Sequence, residues 1–551
     1  MTNRMLTRLD LPQAREYYAA GDWQDETIYT RARKAATRYP DKVAVIERSR
    51  SISYRSLLDA ADRLASHLAG AGLTSGDRVA VWLPSRADVA VALLACSRNG
   101  YIACPSLHRD HTVGDVIALA ERISAKAFIG QPGYGADSNR ADIFSRLDEV
   151  ESVQVRIRLE PAGADEALFP DSLPNPTDQA PHGDPESIVY LAFTSGTTGL
   201  PKGVMHSSNT LLAPVRALAS DWNLDANMVI YSLSPLSHNL GFGAMLLALT
   251  GGGTLVAHDL ARGQSVARRI AATGATFVFG VPTHAIDLLG ELERGDIESL
   301  PDLKGFRISG AAIPTDVAER LIAAGVVPQS GYGMTEAGSH HYTLPNDSAE
   351  LIVGSSGRPF GGHQARILDR EDASLEVPPG TVGQIAGRGP SVMLGYFDDQ
   401  AATESSFTAD GWFLTGDLGS VDEQGYIRIT GRKKDVIIRG GHNIFPAKIE
   451  NLASQFGAVG KAAAIPVPDD RLGERVCLVV TRAGMSDPDP EDLLAFLDRE
   501  GLSKYDMPEF LQVVDSIPLL PSGKLDKRSL VAWLDSGEIN PMPIRFTASV
   551  R

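Results

Sequence analysis

Thr194-Ser195-Gly196-Thr197-Thr198-Gly199-Leu200-Pro201-Lys202-Gly203 follows directly on an apolar run at 188–193. Glycines in such a turn let the backbone approach an anion and aim its N–H groups inward, while the hydroxyls add donors and Lys202 supplies a cation. The stretch therefore has the composition of a phosphate loop emerging from a strand. Its spacing is not G-x-x-x-x-G-K-[ST], which rejects a Walker-type ATPase. A Gly/Ser/Thr-rich turn on its own is more often only a turn, so its reading depends on the rest of the chain.

Outward from that loop, short apolar runs rich in β-branched residues alternate with stretches of helical spacing over most of the first 430 positions. This predicts an α/β fold. Candidate strands are 43–46, 79–83, 188–193, 229–233, 276–281 and 306–309. Leu57, Ala61, Leu64 and Leu68 repeat at helical steps and stop at Gly70 and Gly72. Six prolines between 161 and 185 predict a surface connection feeding the strand before the loop. After about residue 370 the texture becomes short strands and glycine turns. An α+β pattern resumes near 435, with an amphipathic segment at 493–497 and a loose tail expected after Leu534.

The chain has 551 residues, 43% of them hydrophobic and 22% charged, long enough for about two to four folded units. A net charge of −16 repels nucleic-acid backbones and anionic lipid, so any phosphate site is local and no nucleic-acid partner is expected. Three cysteines without C-x-x-C spacing disfavour a disulfide framework or a zinc site and fit a reducing cytoplasm. Arg4, Arg8, Asp10 and Arg15 interrupt what would be an export signal's apolar core. The uncharged run 240–257 contains Gly251, Gly252 and Gly253, which predicts a buried helix, a turn and a strand, with no membrane insertion.

Four further blocks accompany the loop: Gly331-Tyr332-Gly333-Met334-Thr335-Glu336, Gly411-Trp412-Phe413-Leu414-Thr415-Gly416-Asp417, Gly431-Arg432-Lys433-Lys434-Asp435, and Pro521-Ser522-Gly523-Lys524. Each has a physical reading. Tyr332 can offer an aromatic face to a purine, with Gly333 keeping the backbone low beside it, although an ordinary core tyrosine reads the same way. Thr335 offers a hydroxyl for a phosphate oxygen, and Glu336 is a hard carboxylate suited to Mg2+. Asp417 can accept from two vicinal ribose hydroxyls or simply close an Asx turn. Arg432 can donate a fork toward ribose or phosphate.

In order and separation the five blocks resemble the adenylate-forming superfamily, which includes acyl-CoA synthetases, peptide-synthetase adenylation domains and luciferases, from about residue 25 to 530. Chance agreement of five such blocks is negligible. The resemblance implies a large multi-layer N-terminal domain at 1–433, with two β-sheets, helices and a distorted β-barrel. A small mobile α+β C-terminal domain at 434–551 would carry the catalytic lysine, with Lys434 as hinge.

The same resemblance assigns Thr194 to Gly199, Lys202, Gly310, Ala311, Ala312, Tyr332, Gly333, Met334, Thr335, Asp417, Arg432 and Lys524 to the nucleotide, and Glu336 with Thr197 to the metal. His238, Asn239, Val281, Gly310, Gly333, Ser339 and His340 would line the acyl site. Arg439, Gly440 and Gly441 would wall the coenzyme A tunnel. His442 departs from relatives that carry an acidic or aromatic residue there. Lys524, His238, Thr335 and Glu336 are the catalytic candidates.

The implied reaction has two halves. A carboxylate attacks the α-phosphate of Mg·ATP and pyrophosphate leaves; a thiol then displaces AMP. Lys524 serves the first half, neutralising charge where two anions meet, and its domain then rotates away. The acceptor is expected to be coenzyme A, since no carrier sequence follows Lys524. The Ala14-Arg15-Glu16-Tyr17-Tyr18-Ala19-Ala20-Gly21 segment and Ser339-His340-His341 resemble ligases for cyclohexanecarboxylate and related alicyclic acids. The His238-Asn239 pair resembles aryl-acid ligases, so an enzyme loading a hydroxybenzoate onto a carrier protein stays as an alternative. A catalytically silent binder is the alternative of another class. A homodimer is left open, as is an acetyltransferase and deacetylase pair acting on Lys524, whose charge acetylation would remove.

Overall fold

The structure, a computed structural model, describes residues 5–48, 50–161, 169, 173–194, 201–261, 263–311, 313–439, 442–469, 471–520 and 524–545. The chain divides into two compact units, Met1–Ala365 with Gly387–Phe413, and Arg366–Ala386 with Leu414–Arg551.

The first unit is built on two sheets. One has six strands in the order Val155–Arg158, Ala127–Gly130, Arg78–Trp82, Ile102–Cys104, Ile188–Thr194, Lys202–Ser207. It is parallel except for the last pair, a hairpin in which Thr194 lies opposite Lys202. The other has nine strands. Its parallel centre runs Pro328–Met334, Gly305–Ser309, Phe277–Gly280, Val229–Ser232, Thr254–Ala257 and Val43–Ile46, with antiparallel strands at both edges. Near-continuous apolar runs suit strands covered on both faces. All six predicted strands are present, displaced by at most one residue at their ends.

The helix Tyr54–Gly70 carries the predicted Leu57, Ala61, Leu64 and Leu68 on its buried face and is capped by Ser53, whose hydroxyl accepts from Ser56 N–H. The run 240–257 folds as the helix Asn239–Gly251, a left-handed Gly252 and the strand Thr254–Ala257. No helix among the described residues is long and apolar enough to cross a membrane. The helix Ala87–Asn99 is buried nearly all round, as its Ala/Val/Leu sequence dictates. Its one buried carboxylate, Asp88, is met by Arg86 at 2.6 Å and Arg50 at 2.8 Å.

In the second unit the expected distorted barrel is instead an open four-stranded sheet, Gln364–Leu368, Gly383–Arg388, Phe413–Val421 and Ile427–Arg432. Among the described residues its outer strands find no further partner to close on. A six-stranded sheet follows, centred on the long hairpin Val459–Asp469 and Gly473–Arg482. The helices Pro446–Ala453 and Pro490–Arg499 pack on it around Ile449, Leu493 and Leu497. The tail is not loose from Leu534: the helix continues to Ser536, Ile539 is buried, and Met542–Pro543 pairs with Phe510–Val514. Burial of Ile539 and this added ladder hold a segment whose local sequence lacks periodicity.

Candidate active site

Parallel sheets bind ligands beyond the carboxyl ends of their strands. In the first unit the candidate residues gather there. Thr194 closes its strand, Ser234 to His238 follow Val229–Ser232, Val281 follows Phe277–Gly280, Gly310 and Ala311 follow Gly305–Ser309, and Tyr332 to Met334 end Pro328–Met334. The two sheets approach each other at these ends, where His108, beyond Ile102–Cys104, stacks on His238 with centroids 3.9 Å apart and planes within 6°. His108 Nδ1 also lies 3.1 Å from the Ser237 hydroxyl. Burial pulls His238 down to about 4, the neighbouring His111 adding to the effect, so it is a neutral ring at pH 7.

Ser195, Gly196, Thr197, Thr198, Gly199 and Ala312 lie outside the described residues, as do Gly440 and Gly441. The flanks of the loop are defined. Lys202 starts the return strand, and its Nζ sits 4.6 Å from the centre of the Tyr396 ring. The Tyr396 hydroxyl in turn donates to Glu336 Oε1 at 3.0 Å. Burial, reinforced by Glu336, raises the Tyr396 pKa, which keeps the phenol protonated as a donor. One ring thus links the loop's cation to the metal-candidate carboxylate.

The turn holding Thr335 and Glu336 is anchored on several sides. His206 Nε2 donates to Thr335 O at 2.7 Å, Met393 N–H to Glu336 O at 2.7 Å, and the Ser391 hydroxyl to Ala337 O at 2.5 Å. Asn239 Nδ2 lies 3.5 Å from Met334 O. Gly333 can only be glycine: a Cβ there would stand 2.2 Å from Gly338 O of the adjoining strand. Ser339 lies opposite Gly333 across that pair, and Tyr332 opposite His341, ring centroids 5.7 Å apart. His340 is buried among His341, His363 and Gly387. Val281 caps the helix Pro282–Glu293, its N–H donating to His284 Nδ1.

The second unit holds the remaining candidates. Asp417 and Arg432 are cross-strand partners 3.4 Å apart, the carboxylate well shielded and the guanidinium half exposed. Thr415 fixes the turn before Asp417, donating to Ile385 O and accepting from Asp417 N–H. Lys434 is exposed, yet partial desolvation lowers its pKa. Arg439 is engaged in a two-pronged pair with Glu509 at 2.8 Å, and His442 Nε2 sits 2.8 Å from Asp506. Lys524 closes a loop in which its carbonyl accepts from Leu520 N–H at 2.6 Å.

Sequence reasoning missed Tyr396, His206 and His108. Tyr396 follows Gly395 in an otherwise ordinary turn, and neither histidine stands in a recognisable block. The contacts that tie them to the candidate site, Tyr396 to Glu336 and Lys202, His206 to Thr335 and His108 to His238, join residues far apart in the chain.

A divalent ion fits this donor set in one way. Among the described residues no three His, Cys, Asp or Glu side chains gather as a metal cage. A cation beside Glu336 would therefore take that carboxylate and complete its shell from phosphate oxygens and water, the habit of Mg2+.

Residues 32–397 match the AMP-binding enzyme family and 448–524 the AMP-binding enzyme C-terminal domain. The chain is 32% identical to the medium-chain fatty-acid–CoA ligase of Escherichia coli K12, over 93% of this chain and 91% of that one. It is 32% identical to a feruloyl-CoA synthase from Amycolatopsis, over 90% of this chain and 96% of that protein. The ATP-bound crystal structure of MatB from Rhodopseudomonas palustris superposes with a TM-score of 0.83 at 29% identity, covering 93% of this chain and 99% of that one.

Proposed function

We propose, from the premise that this chain belongs to the AMP-binding enzyme family and is an ATP-dependent acid–CoA ligase, that its acid is a compact alicyclic one such as cyclohexanecarboxylate. ATP, Mg2+ and coenzyme A are the partners of that activity. The observation that carries the ligase reading is the placement of Lys202 over the Tyr396 ring and of Glu336 at its hydroxyl, at the flank of a sequence of phosphate-binding composition.

In this reading the acid's carboxylate oxygen attacks the α-phosphorus and pyrophosphate leaves. Lys202 and the loop's N–H groups hold the phosphates, Glu336 holds the metal, and Tyr332 offers its ring to adenine. Bound Mg2+ supplies positive charge to the departing phosphates. Asp417 accepts from the ribose hydroxyls and Arg432 donates beside it. Lys524 neutralises the two anions as they meet. The coenzyme A sulfur, entering along the 439–441 segment, then attacks the acyl carbon and AMP leaves. His238, neutral and stacked on His108, borders the acyl side.

The compact acid is supported by the resemblance of the 14–21 and 339–341 segments and by the contact of the His340 ring with those of His341 and His363. Relatives are named for fatty and ferulic acids. One methylene discriminates by only about 1–3 kcal/mol in an apolar pocket, so related ring acids should also react.

The hinge at Lys434, with a mobile segment 434–551, belongs to the same proposal. It concerns motion, whereas the two contact-defined units concern packing. A cytoplasmic setting accords with three buried, unbonded cysteines. Assembly as a homodimer and acetylation of Lys524 are part of the proposal that mass measurement and peptide mapping would check.

ATP–pyrophosphate exchange across a panel of carboxylic acids is the test. Exchange led by cyclohexanecarboxylate and its relatives, with thioester formed on adding coenzyme A, is expected. Preference for a dihydroxybenzoate, with transfer to a carrier protein alone, would replace this reading by the aryl-acid one.

A further inference from the structure

The parallel strand Gly305–Ser309 carries a charge in its middle. Arg307 is 1% exposed and Gln329, its partner in register on Pro328–Met334, is 0% exposed. The other two arginines buried to a similar degree, Arg86 and Arg98, each place Nε on a carboxylate, Asp88 at 2.6 Å and Asp62 at 2.8 Å. Among the described residues no carboxylate pairs with Arg307. Its Nη1 donates to Gln329 Oε1 at 2.8 Å, and its guanidinium carbon lies 5.4 Å from the centre of the Tyr342 ring. Asp221 is instead taken by the Tyr342 hydroxyl at 2.7 Å.

Two donors are left over. Arg307 Nε and Gln329 Nε2 are buried with no acceptor among the described residues. A buried donor without a partner is costly, and a buried cation without one more so. Burial draws the guanidinium down to about 10, which leaves it charged at neutral pH.

The position of this pair supplies the reason. Arg307 and Gln329 precede Ser309 and Gly331 by two residues, which places them about 7 Å below the carboxyl ends where Gly310 and Tyr332 border the site. The head of Arg307 turns upward toward those ends: a Cβ on Gly331 would come within 3.0 Å of Nη2. The glycine leaves that side of the guanidinium without a side chain.

We propose that Arg307 and Gln329 are specificity residues at the floor of the acid site, donating to an oxygen at the far end of the acid from its activated carboxylate. The chemical class is a ring or chain acid whose distal end bears a carbonyl, a hydroxyl or a second carboxylate. The inference rests on the ligase reading above and moves its best acid from plain cyclohexanecarboxylate to an oxygenated relative. A site built to donate hydrogen bonds rejects an analogue lacking the acceptor far more strongly than it discriminates a methylene, because its donors are then left unpaired.

The test compares acids in pairs by pyrophosphate exchange: cyclohexanecarboxylate with 4-oxocyclohexanecarboxylate, the same acid with cyclohexane-1,4-dicarboxylate, benzoate with 4-hydroxybenzoate, and octanoate with suberate. The wild-type enzyme is expected to favour the oxygenated member of at least one pair tenfold or more in kcat/KM. Preference for the oxo or hydroxy acid marks a neutral acceptor, and for the dicarboxylate an anionic one. In Arg307→Met and Gln329→Leu that ratio should fall at least tenfold, with Arg307→Lys between them and the wild type. A wild-type enzyme that prefers the unadorned member of every pair overturns the inference, even if no variant folds. So do variants that lower both members equally. Exchange with no acid in the panel would instead sink the ligase reading, a separate failure.

Discussion

The Tyr396 hydroxyl donates to Glu336 Oε1 at 3.0 Å, and the opposite relation of the same ring is to Lys202, whose Nζ lies 4.6 Å from its centre. One phenol thus touches both the candidate phosphate cation and the candidate metal carboxylate.

Replacing Tyr396 by Phe keeps the ring under Lys202 and removes the hydrogen bond to Glu336. A hydrogen bond to a charged group is worth about 1.5–3 kcal/mol, so adenylation should fall roughly ten- to hundredfold. The Mg2+ concentration for half-maximal exchange should shift, while the acid's KM moves little. Exchange titrated with Mg2+ reads this directly, and an unaltered Mg2+ dependence counts against a role for this hydrogen bond at the metal carboxylate.

Lys524→Ala should abolish adenylation while leaving thioester formation from supplied acyl-adenylate largely intact, since the lysine is needed only where carboxylate meets phosphate. Gly441→Leu should do the reverse, with adenylate accumulating and thioester failing. Equal loss in both half-reactions for either variant refutes the division of labour.

Gly333→Ala places a methyl 2.2 Å from Gly338 O, a backbone atom that cannot rotate away. The strands Pro328–Met334 and Gly338–Tyr342 must part at the bulge next to Tyr332. Exchange activity should drop at least tenfold and the thermal midpoint should fall. A variant with unchanged midpoint and activity would show that the strand pair yields freely.

Low pH should loosen this region. Burial holds His206 and His238 near 4 in the folded chain against 6.5 when unfolded. Between those values the unfolded chain binds protons that the folded one does not, so stability is full above about pH 6.5 and declines as pH falls toward 4. The limiting slope is about 1.4 kcal/mol per pH unit for each such histidine. Urea midpoints measured from pH 7 to pH 4.5 should show the decline, and His206→Gln should flatten it. An identical slope in that variant would assign the effect to other groups.

Element identity was readable locally. The six strands at 43–46 through 306–309 declared themselves by β-branched apolar runs, and the helix Tyr54–Gly70 by its leucine period and serine cap, because burial on a known face is written into adjacent residues. The open four-stranded sheet and the paired tail at Met542–Pro543 were not readable, since strand closure and edge pairing depend on partners far along the chain.

The same division holds at the site. Sequence alone determined the family, because its five motif blocks are local strings whose order and separations can be read without the fold. Tertiary structure alone decided that Tyr396 touches both Lys202 and Glu336, that His108 stacks on His238, and that Arg307 lies buried beside Gln329 with no carboxylate partner among the described residues. Each of these is an encounter between side chains brought from separate segments of the chain, and the strength of a charge or hydrogen bond there is set by the burial that only packing creates.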